Sequence, residues 1–86
     1  MDIREVLARN LRIYRQQRGL SQEELAHRAE IDRTYVSALE RCVYGVSIDI
    51  LDRLAVALSV EAADLVQRSM PKGTTIPNDE DRQGGG

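Results

Sequence analysis

Four side chains in this chain have the chemistry and placement to read another molecule: Arg33, Thr34, Ser37 and Arg41. They fall on the outward positions of a short helix whose other residues are apolar. All four are hydrogen-bond donors or acceptors, which is what a helix lying in the major groove of DNA presents to base edges. Arg33 has the geometry to take the O6 and N7 of guanine together, worth about 1–3 kcal/mol of discrimination. Gln22 opens the preceding helix, where its amide and the positive end of that helix can meet a phosphate. The plain alternative for each is a solvated helix-surface residue.

Those side chains need a frame, and Gln22 to Leu39 supplies it. The stretch reads as two short helices joined by a tight corner. Leu25, Ala26 and Ala29 share one face of the first; Val36, Ala38 and Leu39 mark the second, with Ile31 as a plug between them. Ser21 followed three residues later by Glu24 is a capping box. Asp32 stands where the second helix starts and can accept from its first-turn amides. Ala26 is small where two steeply crossing helices approach most closely.

The flanking chain reads as support. Ile3, Leu7, Leu11 and Tyr14 recur at helical spacing and predict a first helix over 2–18, stopped by Gly19. Leu20 turns inward. A loop from Cys42 to Val46 turns at Gly45. Ser47 caps a fourth helix with a buried stripe of Ile48, Leu51, Leu54, Ala55 and Leu58. A fifth, over about 61–68, holds Leu65 against the core. Residues 1–68 are expected to form one domain, and 69–86 a disordered tail with two Pro, four Gly and an acidic cluster.

Composition narrows the class. With 86 residues, 42% of them apolar, no Phe or Trp and three Tyr, the core must be aliphatic. The single Cys42 forms no internal disulfide and fits a reducing, cytoplasmic setting. No apolar run approaches the roughly 20 residues that cross a bilayer, so no membrane partner is expected. One His and one Cys cannot build a metal cluster. No Gly-rich phosphate loop is present, and no nucleophile stands beside a base. No catalysis, no cofactor and no small-molecule substrate are expected. The charge pulls the other way from DNA: the net charge is −2 and the pI about 5.3. Residues 1–68 hold ten Arg against eleven Asp plus Glu. Every cation there is Arg, which favours two-pronged contacts and buried ion pairs.

Taken together, GLSQEELAHRAEIDRTYVSALER, SIDILDRLAVAL and VEAADL resemble the Xre family of helix-turn-helix regulators, the Cro and phage-repressor type. The likeness covers about residues 3–66. It implies an all-α, five-helix bundle in which the second helix crosses the DNA backbone and the third enters the major groove. It implies base reading by Arg33, Thr34 and Ser37. Phosphate contacts fall to Gln22, to Tyr35, and to Arg41 with Val43 and Tyr44. Arg15 and Glu40 match a structural ion pair joining the first and third helices.

Three departures from the family pattern stand out. Glu30 stands in a corner where Gly is common, Cys42 where a Gly ends the third helix, and Gly45-Val46 where Asn-Pro or a similar pair is found. A left-handed residue other than Gly costs on the order of 1 kcal/mol. The expected function is a transcriptional regulator, a repressor bound as a homodimer to palindromic double-stranded DNA. The alternative is a protein-interaction module, an antitoxin or antagonist of another regulator. Off-stripe Ile13, Ile50 and Val56 would serve either as a dimer surface or as a docking site.

Overall fold

The computed structural model describes residues 1–43 and 45–71. Five helices follow one another: α1 (Ile3–Gln17), α2 (Gln22–Ala29), α3 (Arg33–Glu40), α4 (Ile48–Leu58) and α5 (Ala62–Leu65). Among the described residues there is no strand, and no helix is long and apolar enough to cross a membrane.

The helix starts follow from side chains that satisfy the free amides of a first turn. The Ser21 hydroxyl accepts from the Glu24 amide at 3.0 Å, and a Glu24 carboxylate oxygen accepts from the Ser21 amide at 2.8 Å. Asp32 accepts from the Thr34 amide at 2.7 Å, and Ser47 from the Ile50 amide at 3.2 Å. Asp2 and Glu5 close a second capping box at the head of α1.

The helix ends share one device. After α1, Gly19 donates to the Gln16 carbonyl and Leu20 to that of Arg15, the paired closure of a Schellman turn. The same pairing closes α2 at Glu30 and Ile31, α3 at Cys42 and Val43, and α4 at Ser59 and Val60. Each closure needs a left-handed residue. Gly19 supplies it at φ 69°, but Glu30 (59°), Cys42 (62°) and Ser59 (58°) adopt it with a Cβ in place. The corner strain expected at Glu30 is therefore present, and Cys42 and Ser59 share it.

The core is aliphatic, as composition demands. Leu11, Leu25, Leu39, Leu54, Leu58, Leu65, Val6 and Val36 are fully buried. Leu25, Ala26 and Ala29 of α2 meet Val36 and Leu39 of α3, with Ile31 packed beside them. Two expected core positions are corrected. Ile3 is 46% exposed and Ile48 is 82% exposed. Both carry the right helical phase, but each is the first residue of its helix, ahead of the buried part of the stripe. Burial then deepens along the stripe, through Leu7 to Leu11 in α1 and through Leu51 to Leu54 in α4. Ile13 and Ile50 are half-buried, Ile50 packing on the core, whereas Val56 is exposed. The fifth helix is one turn, Ala62–Leu65, shorter than the 61–68 expected.

Beyond α5 the chain runs back over α1. Asn10, fully buried, donates its amide to the carbonyls of Asp64, Leu65 and Gln67 at 3.2, 3.2 and 2.8 Å. Arg9 reaches the carbonyls of Gln67, Arg68 and Ser69, and Pro71 is buried. These contacts to α1 offer the carbonyls after Leu65 an alternative to continuing the helix. The expected disordered tail, from residue 72 onward, lies outside the described residues.

Candidate nucleic-acid interface

Residues 30–32 form the corner between α2 and α3. Buried Ala26 and Ala29 let the two helices pack closely, and the inward set Val36, Ala38, Leu39 and Glu40 fixes the rotation of α3 about its axis. That rotation leaves Arg33, Thr34 and Arg41 exposed and Ser37 half-buried on the opposite side. The four side chains singled out in the sequence thus share the outward side of one helix. The Arg41 Nε donates back to the Ser37 carbonyl at 3.3 Å, which lays its guanidinium along the end of α3.

An ionic network behind this helix sets its position. Arg15 donates from Nε and Nη2 to the two Glu40 oxygens at 2.6 and 3.0 Å, and from Nη1 to the Leu20 carbonyl at 2.9 Å. The pair joins α1 to the last turn of α3, as expected. Its side chains are 14% and 5% exposed. Its hydrogen bonds to Glu40 raise the Arg15 pKa above its already high ordinary value, so the guanidinium stays charged. Gln22 completes the network, donating from Nε2 to Glu40 Oε1 at 3.1 Å. Its side-chain amide thus faces inward to Glu40 and locks the start of α2 to the end of α3.

The loop after α3 lies beside that helix. Val43 is 52% exposed, and the half-buried Tyr35 donates its hydroxyl to the Gly45 carbonyl at 3.3 Å. Tyr44 lies outside the described residues. His27 on α2 is exposed, away from the network. Among the described residues no three His, Cys, Asp or Glu side chains stand together to hold a metal ion.

Two caps carry shifted carboxyls. The hydroxyl and then the amide of Thr34 hold the Asp32 carboxyl below the ordinary aspartate range. The Ser21 amide, then its hydroxyl, does the same for Glu24. Thr34 therefore serves the cap of α3 as well as its outward side. Sequence reasoning missed Asn10, because a polar residue inside an apolar helical face carries no periodic signal. Its amide nitrogen donates to backbone carbonyls more than fifty residues away, while its Oδ1 accepts from Arg9 Nε at 2.9 Å.

A three-residue corner, a capped second helix packed across a capped third, and an outward face of donors define a helix-turn-helix DNA-binding domain. Comparison with known proteins agrees. The helix-turn-helix family profile matches residues 11–65. The chain is 46% identical to a hypothetical transcription factor of Neisseria meningitidis over 76% of its own length, and spans 61% of that relative. It is 43% identical to the control protein C.SmaI of Serratia marcescens, covering 79% of this chain and 81% of the relative. The restriction-modification controller C.Esp1396I, solved as a tetramer in complex with its natural 35 base-pair operator, superposes with a TM-score of 0.69. That match has 26% identity and covers 76% of this chain and 86% of the other. The chain belongs to the helix-turn-helix family of Xre-type regulators, DNA-binding proteins of transcription regulation.

Proposed function

We propose that this protein represses transcription by binding a palindromic operator as a homodimer, acting by occupancy and performing no chemistry. In this reading α3 enters the major groove. Arg33, Thr34 and Ser37 read base edges, Arg33 by two parallel bonds to guanine. The phosphates are met by the positive end of α2 at Gln22, whose own side-chain amide is turned to Glu40, and by Tyr35, Arg41, Val43 and Tyr44 around the loop after α3. One observation carries the reading. The ion pair and the apolar side of α3 face inward, while Arg33 and Thr34 stand in solvent on the other side.

The acidic average of the chain does not oppose it, because the arginines are divided. Arg15 and Arg18 are engaged with Glu40 and with the Leu58 carbonyl. Arg33 is left exposed on the outward face, so the local charge there differs from the mean. The homodimer is supported by the tetrameric operator complex of C.Esp1396I. Exposed Ile48 and Val56 on α4 offer apolar surface for a second copy. Two copies set one DNA turn apart would place their reading helices about 34 Å from each other.

Selection of bound duplexes from a random DNA pool tests this directly. The expected result is an inverted repeat whose half-sites are spaced by about one turn. Recovery of no enriched sequence would overturn the operator reading and favour a protein partner instead.

A further inference from the structure

The loop after α3 has a cationic neighbour from the opposite end of the chain. Arg4 lies in the first turn of α1, exposed, and a Cβ built on Gly45 would stand 3.9 Å from its Nε. Gly45 is also the residue whose carbonyl accepts the Tyr35 hydroxyl of α3. One loop residue thus lies between the reading helix and the Arg4 guanidinium. Arg4 borders a shallow groove walled by Ile3, Leu7, Val46, Leu51 and Val66. An arginine at such a groove can rest its methylenes on apolar surface and keep its charged head in water.

Among the described residues the head group has no acidic partner. Asp2 Oδ1 accepts from the backbone amide of Arg4 at 2.7 Å, and Glu5 Oε1 accepts from that of Asp2 at 2.8 Å. Both nearby carboxylates are therefore engaged in capping α1. Among the described residues no carboxylate accepts from the guanidinium, and the groove walls carry none. Arg9, Arg18 and Arg68 donate to main-chain carbonyls and Arg15 to Glu40, whereas the Arg4 guanidinium stands beside the loop after α3.

We propose that Arg4 is a phosphate-binding residue, extending the DNA contact of the loop after α3 by one phosphate. The inference rests on the regulator reading above. A guanidinium beside that loop presents a fork of donors matched to phosphate oxygens. A contact of this kind adds affinity without sequence preference, because phosphates carry no base identity.

The test is the salt dependence of binding to a mixed-sequence DNA duplex, measured for the full chain between about 50 and 200 mM salt. Wild type is compared with Arg4→Gln and Arg4→Lys. Loss of one phosphate contact is expected to make the slope of log K against log salt shallower by about 0.9 in Arg4→Gln. Arg4→Lys, which keeps the charge, should retain the wild-type slope, and the melting temperatures of both variants should match wild type. A wild type with a steep slope and an Arg4→Gln variant with the same slope would overturn this inference alone. A wild type that binds no duplex at any salt would overturn the regulator reading and this inference with it.

Discussion

Arg15 of α1 grips both carboxylate oxygens of Glu40 at the last turn of α3, through bonds of 2.6 and 3.0 Å. These residues lie 25 positions apart in the chain, and their contact ties the first helix to the end of α3. The pair is largely shielded from water, so neither charge tolerates loss of the other. Glu40 also accepts from Gln22. A single carboxylate therefore fixes three helices relative to one another, and with them the direction in which α3 faces.

Removing one member leaves the other charge poorly solvated. Glu40→Ala and Arg15→Ala are each expected to cost about 3 kcal/mol. For a domain of this size that is roughly 12–24 °C in melting temperature. The double variant should lose less than the sum, since it leaves no orphaned charge. Gln22→Ala, which removes a hydrogen bond and no charge, should cost about 1 kcal/mol. A thermal melt of the four variants checks the ordering; an additive double variant would show that the two side chains do not act together.

Three of the four Schellman closures use a residue with a Cβ in the left-handed region. Gly at these places removes a steric cost of about 1–2 kcal/mol and adds back about 0.5–1 kcal/mol of chain entropy. Ser59→Gly and Glu30→Gly are expected to stabilise by about 0.5–1 kcal/mol each. The converse Gly19→Ala should destabilise by about 1 kcal/mol. Urea unfolding resolves changes of this size. A Ser59→Gly variant with a lower midpoint than wild type would contradict the strain assigned there.

These closures also mark how far the chain could be read unaided. Helix starts were legible because Ser21, Asp32 and Ser47 declare themselves by residue type. Of the ends, Gly19 was legible by itself, whereas Glu30 and Cys42 came through their departures from the family pattern and Ser59 not at all. Periodicity identified the faces of α1 and α4, yet it misplaced Ile3 and Ile48. A helical repeat reports the angle of a side chain about the axis and is silent on its depth along it. Arg33, Thr34, Ser37 and Arg41 were legible as an outward set because their partners at Val36 and Leu39 are so plainly apolar. The inward turn of the Gln22 amide was not, since it depends on the distant Glu40.

Asn10 was equally hidden, and it gives a separate prediction. Its amide serves three carbonyls of the segment after α4. Asn10→Leu keeps the branching at Cγ but strands those acceptors, with an expected cost of about 2–3 kcal/mol. Hydrogen exchange should show residues 64–69 losing protection more than α2 and α3. Uniform loss across all helices would mean that Asn10 stabilises the whole core rather than anchoring this segment.

Acid should weaken the caps of α2 and α3. Glu24 and Asp32 both have carboxyls held below their ordinary values in the folded state. Their stabilisation is present above the unfolded carboxylate range of about 3.9–4.3. It is lost as pH falls through the lower folded values. Asp32→Asn keeps a capping oxygen without the charge, so its melting temperature should fall less steeply than wild type below about pH 4. Parallel pH profiles for the two proteins would contradict the assigned cause.

In the proposed function the outward face of α3 reads sequence while its neighbours hold the backbone. Parallel selection from a random duplex pool with wild type, Arg33→Ala and Arg41→Ala measures that division. Arg33→Ala is expected to relax the preference at one base pair in each half-site. Arg41→Ala should keep the wild-type motif at uniformly weaker affinity. A motif left unchanged by Arg33→Ala would contradict this reading.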